Sequence, residues 1–163
     1  MLTFHIDPFE KDTVKSYLNK KAPYLFFTNE WFERFYHCTS GIPSYVNIFA
    51  SLLPQNVELT DEIVIKNFDE KISAIISYLI NLWLKLTYRE QSIFICLLDS
   101  PLKRIEIAEK LNISTGSLSK NLNNLQNQGL IKFENQKYQI SEPILARWLQ
   151  LEFKNKGNFP YRF

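Results

Sequence analysis

The sequence predicts a mainly α-helical protein of two units, with one small β-hairpin near the C-terminus. Three observations predict it. Only four of the 163 residues are glycine, too few for a turn-rich all-β design. Apolar side chains follow helical spacing, as at Ile72, Ile75, Ile76, Leu79, Ile80 and Trp83. Two short strand patterns, 130–133 and 137–140, flank a turn at Glu134-Asn135-Gln136.

Composition removes several function classes. No stretch approaches 18 uncharged apolar residues, so no transmembrane helix is expected. The start, Met1-Leu2-Thr3-Phe4-His5, has neither a basic n-region nor a long apolar core. No secretory signal is expected, and the expected location is cytoplasmic. Cys38 and Cys96 lie far apart without a metal-type spacing and read as buried thiols in a reducing compartment. His5 and His37 are too few for a typical zinc site, so no metal is expected. The net charge of +2 forces no partner by itself. It is unevenly spread: residues 1–86 hold 8 Lys+Arg against 10 Asp+Glu, and residues 87–163 hold 11 against 7.

In the first half, Leu2, Phe4 and Ile6 alternate with Thr3 and His5, which predicts a short strand. A lone strand needs a partner, so a sheet is expected upstream. A helix follows over 10–20, with Val14, Tyr17 and Leu18 on one face. Thr28 is placed to cap a helix to Thr39, and Glu30 in its first turn favours the dipole. Gly41 ends that helix, Pro43 opens the next, and Pro54 stops it. From Asp61 to Leu86 the apolar period predicts one long helix, or a short helix followed by a long one.

The second half opens with Thr87-Tyr88-Arg89-Glu90, a capping box whose hydroxyl and carboxylate satisfy free N–H groups reciprocally. With the charge flip, it puts a domain boundary at 86/87. A helix to Leu98 is broken by Asp99-Ser100-Pro101. A second helix, 104–111, is expected to place Ile105, Ala108 and Leu111 inward. After the turn Asn112-Ile113-Ser114, Ser114 is expected to cap a third helix carrying Leu118, Leu122 and Leu125. Gly129 ends it, the hairpin follows, and a last helix opens at Glu142-Pro143 with Leu145, Trp148 and Leu149.

Helix, helix, tight turn, helix, hairpin, helix is the order of a winged helix-turn-helix. The stretch IEIAEKLNISTGSLSKNLNNLQNQGLIKFENQKYQI, Ile105 to Ile140, resembles that family throughout. The small trihelical core leaves the outer face of the third helix free for a major groove. That face offers Thr115, Ser117, Ser119, Lys120, Asn123 and Asn124. Lys120 and the wing residues Lys132 and Lys137 are phosphate candidates; Ser117, Asn121, Asn123 and Asn124 are candidates for base edges or sugar-phosphate. Only one charge, Lys120, lies within 114–127, so the expected duplex affinity is weak. A winged helix used for packing or protein contacts is the competing reading.

The whole chain resembles something more particular. FTNEWFERFYHCTSGIPSYVNIFASLLP, Phe27 to Pro54, is similar to the helical lid of archaeal P-loop ATPases of the AAA+/STAND type, with Gly41-Ile42-Pro43 as its G-x-P element. The opening LTFHIDPFEKDTVKSYL resembles the strand and helix that lead into such a lid. The ending, with Pro143, Trp148 and Pro160, resembles the tail of the same proteins. The resemblance implies a mainly α fold: a helical lid domain with a short N-terminal strand over 1–86, then a winged helix-turn-helix domain with a small β-hairpin wing over 87–163. It also implies that Gly41 and Pro43 lie near the adenine of ATP bound with Mg by an upstream ATPase core. Ser44 and Tyr45 stand where many lids carry a γ-phosphate-sensing arginine, and Arg34 is no obvious substitute. The plain reading of Gly41-Ile42-Pro43 is a helix connection.

No G-x-x-x-x-G-K-S/T and no Walker B run occur, so nothing in the chain cradles phosphates and no catalytic residue is expected. Asp61-Glu62 and Asp69-Glu70 read as a solvated face. The aromatic group Tyr24, Phe26, Phe27, Trp31, Phe32, Phe35 and Tyr36 reads as core or interface. The favoured function is a non-catalytic C-terminal lid and winged-helix module of an archaeal-type ATPase, which closes over nucleotide and presents a DNA- or protein-binding surface. The alternative is a free-standing winged-helix DNA-binding transcription regulator with a helical N-terminal dimerisation or effector domain.

Overall fold

The computed structural model describes residues 7–26 and 28–161. The strand expected at Leu2, Phe4 and Ile6 lies outside them. The described residues are mainly helical, with one two-stranded antiparallel sheet. They divide into two compact units between Ile75 and Ile76.

The N-terminal unit holds α1 (Lys11–Lys21), α2 (Asn29–Thr39), α3 (Pro43–Leu52) and α4 (Asp61–Ile75). Helix α2 packs on α1, α3 and α4. Its buried face carries Trp31, Phe32 and Phe35, so these members of the aromatic group are core. Trp31 and Phe35 meet edge to face at 5.9 Å, and Phe49 stacks on Phe68 at 4.1 Å, an arrangement aromatic quadrupoles favour when offset or tilted. Thr28 is the N-cap of α2, although its side chain makes no capping bond. The helix ends through two consecutive left-handed residues, Ser40 (φ 50°) and Gly41 (φ 70°), and Pro43 occupies the first turn of α3.

The long helix expected from Asp61 to Leu86 is two. It breaks at Ile76 (φ −81°, ψ −13°), and α5 (Ser77–Lys85) starts anew. Ile72, Ile76, Leu79 and Trp83 are all buried, so the apolar stripe continues through the break and the period carries no trace of it. Charge draws a line at 86/87; packing draws one a helix earlier. Trp83 of α5 explains why: it lies edge to face with Phe94 at 5.9 Å, its Nε1 donates to the Pro160 carbonyl (2.7 Å), and its own carbonyl accepts from Gln91 (3.0 Å).

The C-terminal unit continues with α6 (Tyr88–Cys96), α7 (Arg104–Leu111), a 3₁₀ turn (Thr115–Leu118), α8 (Ser119–Asn127), β1 (Ile131–Glu134), β2 (Lys137–Ile140) and α9 (Pro143–Lys156). The capping box forms as expected: Glu90 N–H donates to Thr87 Oγ1 (3.2 Å), and Thr87 N–H donates to Glu90 Oε2 (2.9 Å). Ile93, Phe94, Ile107, Leu118, Leu122, Leu125, Ile144, Leu145 and Leu149 make the core. Two expectations are corrected. Ile105 is 56% exposed; Ile107 and Ala108 are the buried pair of α7, and Ile105 lies two residues, about 200°, from Ile107. The third helix starts as a 3₁₀ turn, and Ser114 makes no side-chain cap. Its carbonyl instead accepts from the Ser117 hydroxyl (2.7 Å), the local competition that short hydroxyls offer a helix.

The wing is a hairpin in register Ile131↔Ile140 to Glu134↔Lys137. Asn135 (φ 52°) and Gln136 (φ 61°) supply the two positive φ values of a primed turn. Leu102 pairs with Tyr138 through two backbone bonds (3.0 and 2.8 Å), an isolated antiparallel bridge with no pattern in the sequence.

Candidate nucleic-acid interface

Leu118, Leu122 and Leu125 turn one side of the third helix into the core and thereby fix the opposite side outward. Ser119, Lys120 and Asn123 are exposed on that side, and Thr115 is exposed in the 3₁₀ turn that starts the helix. Asn121 and Ser117 are half-buried, and the Ser117 hydroxyl is engaged with Ser114. Asn124 sits elsewhere. Its Nδ2 donates to Glu90 Oε1 (2.7 Å), and its Oδ1 accepts from Gln128 (3.1 Å). The outer strip thus holds Ser119, Lys120 and Asn123, with Thr115 at the start of the helix, while Asn124 is half-buried and bonded to α6.

The wing lysines differ. Lys132 pairs with Glu134 at 3.0 Å, and Glu134 also accepts from Gln139 (3.1 Å). Lys137 stands opposite Glu134 across the hairpin. One wing cation is therefore paired with Glu134, and the other lies across the hairpin from it. Glu106 is used locally, accepting the Lys103 N–H at the start of α7 (2.5 Å). Glu109 borders an open groove of about 370 Å³ between α7 and the start of the third helix, lined also by Ile105, Ile113 and Thr115.

One cation beside the strip is missing from the sequence-derived set. Arg104 Nε donates to the Thr115 carbonyl (3.0 Å), and its Nη2 bonds the Ser119 hydroxyl. A signal for it exists. Lys103 and Arg104 sit at the N-terminal end of α7, where the helix dipole disfavours cations, so a role outside that helix is expected of them.

In the N-terminal unit, Gly41 and Pro43 mark the α2–α3 turn. The Phe9 amide donates to the Gly41 carbonyl (2.8 Å), and the Phe9 carbonyl accepts from the Tyr36 hydroxyl (2.9 Å). Arg34 is forked onto Asp61 (2.7 and 3.0 Å). The hydrogen bond raises the guanidinium pKa and holds the Asp61 carboxyl below its ordinary value. Both line an open groove of about 520 Å³ with Glu30, Glu33 and His37. Among the described residues no group of His, Cys, Asp and Glu is arranged to hold a metal. Neither Cys38 nor Cys96 forms a disulfide, and burial pushes the Cys96 thiol up. No helix among the described residues is long and apolar enough to cross a membrane.

The family model described as winged helix-turn-helix DNA-binding matches residues 96–132, from the end of α6 into β1. A winged helix-turn-helix DNA-binding domain is therefore present. No curated protein and no solved structure matches the chain.

Proposed function

We propose that the chain binds duplex DNA through its C-terminal winged helix and acts as a DNA-binding regulator, with the N-terminal helical unit as its effector or dimerisation domain. One observation carries this reading: the family match spans the two helices and turn whose outer strip is polar and uncommitted to the core. The third helix would lie in the major groove, with Ser119 and Asn123 toward base edges and Lys120 and Arg104 toward phosphates. An asparagine paired bidentately with adenine discriminates by about 1–3 kcal/mol. Lys137 and Lys132 of the wing would meet the backbone. With few cations, affinity is modest and falls as salt rises.

The resemblance to an ATPase lid gives the N-terminal unit a second role, with Gly41 and Pro43 near a nucleotide held by an upstream core. It rests on the resemblance alone, because packing against Phe9 already accounts for the glycine.

The test is anisotropy of a labelled random duplex pool, followed by selection, at low salt. Binding that enriches a sequence and weakens in Lys120→Ala supports the proposal. No binding to any duplex at low salt overturns it in favour of a protein-contact role.

A further inference from the structure

Glu90 spends its two carboxylate oxygens on two different helices. Oε2 accepts from the Thr87 N–H and closes the capping box of α6; Oε1 accepts from Asn124 Nδ2 of α8 at 2.7 Å. Asn124 in turn accepts from Gln128, one turn on. Glu90 is only 5% exposed. We propose that Glu90 is a positioning residue for the DNA-reading helix: through Asn124 it sets the roll of α8 and so what the strip Ser119, Lys120 and Asn123 presents. This rests on the DNA-binding reading given above.

A capping box needs one oxygen. The second oxygen is therefore surplus to α6 and serves the other helix. The location of Asn124 makes the bond informative. At 100° per residue it lies on the flank of α8, between buried Leu125 on one side and exposed Lys120 and Asn123 on the other. The three leucines hold α8 on the core, but apolar packing is non-directional. A short hydrogen bond to a charged acceptor is directional and stronger than a neutral one. Placed on the flank, it fixes the rotation about the helix axis. It also explains why Asn124, an outward-face residue by pattern, is half-buried and bonded to α6.

Glu90→Gln separates the two jobs. A glutamine at position 90 still offers one oxygen to the Thr87 N–H, but its other arm is a donor, which Asn124 can meet only by turning its amide over and giving up the bond it accepts from Gln128. Combining it with Asn124→Asp restores a donor–acceptor pair with reversed polarity. Amide hydrogen exchange of the full chain, without DNA, reads the link. Glu90→Gln and Asn124→Ala should each speed exchange in 119–128 about tenfold while α9 is unchanged, and Glu90→Gln with Asn124→Asp should bring it back. Exchange in α8 unchanged by Glu90→Gln, or raised equally in α9, overturns the proposal and leaves Glu90 a cap only. The second arm uses the selected duplex. Glu90→Gln should weaken binding about tenfold with an unchanged salt slope, because no phosphate contact is lost, whereas Lys120→Ala lowers the slope by about 0.9. A reduced slope in Glu90→Gln, or unchanged affinity, overturns the role in reading. If the wild type binds no duplex, the DNA reading fails while the exchange arm still decides the link.

Discussion

Phe9 and Gly41 are in backbone-to-backbone contact so close that no side chain fits between them. A Cβ on Gly41 would stand 2.2 Å from the Phe9 carbonyl oxygen, and φ at Gly41 is +70°. Gly41→Ala therefore combines a left-handed penalty of about 1–2 kcal/mol with an overpacking cost of about 1–3 kcal/mol. Urea unfolding should show a loss in that combined range, confined to the N-terminal unit. A near-neutral result would mean that the α2–α3 turn relaxes freely, and that its glycine serves a ligand instead.

Gly116 gives the opposite expectation. A Cβ there meets nothing within 4 Å, and its φ is outside the left-handed region, so neither strain nor packing asks for glycine. Gly116→Ala should leave stability unchanged or raise it by up to about 1 kcal/mol. Close approach of a duplex to the start of the third helix would make the same variant bind DNA more weakly. Unchanged duplex affinity would place the DNA away from Gly116.

The winged helix was legible because its signals are local. The Thr87–Glu90 capping box, the leucine period 118–122–125 and the hairpin turn are each written within a few residues of sequence. The break at Ile76 was not, because buried Ile72, Ile76 and Leu79 keep helical spacing across it and no glycine or proline marks it. The outer strip was legible as the complement of the leucines. The bond that engages Asn124 is not legible, because its partner, Glu90, is 34 residues away in sequence, beyond any local pattern. The contact of Arg104 is hidden for a related reason: it bonds the helix after its own.

The Arg34–Asp61 pair makes a pH prediction. The hydrogen bond from Arg34 depresses the Asp61 pKa below its ordinary 3.8. A depressed carboxyl contributes stability above the ordinary value, and loses it as pH falls through the folded one. Both side chains are about two-fifths exposed, so the contribution is small and salt-sensitive. Melting of the N-terminal unit should fall between pH 5 and pH 2, by the linkage window for carboxylates, and Asp61→Asn should fall less steeply there at low salt. Identical acid profiles for the two proteins would show that the pair contributes nothing.

On the DNA-binding reading, Glu134 sets how much of the wing's charge would reach a phosphate. Its carboxylate is 3.0 Å from the Lys132 ammonium and opposite Lys137 in the hairpin register. An exposed pair of this kind is worth about 0–1 kcal/mol, so DNA can open it, but the carboxylate stays beside the backbone and repels it. Glu134→Gln removes that charge while keeping an oxygen for Gln139. Duplex affinity at low salt should rise several-fold, and the dependence of log K on log salt should steepen by up to about 0.9 as one more phosphate is neutralised. Lys132→Ala in the wild type should then cost less than Lys132→Ala in the Glu134→Gln background, because only there is the ammonium free of its partner. Lys120→Ala, at a side chain in no ion pair among the described residues, should flatten the slope by about 0.9 in both backgrounds. Anisotropy titrations of one duplex at four salt concentrations measure all of these. If Glu134→Gln changes neither affinity nor slope while Lys120→Ala changes both, the reading helix contacts DNA and the wing does not.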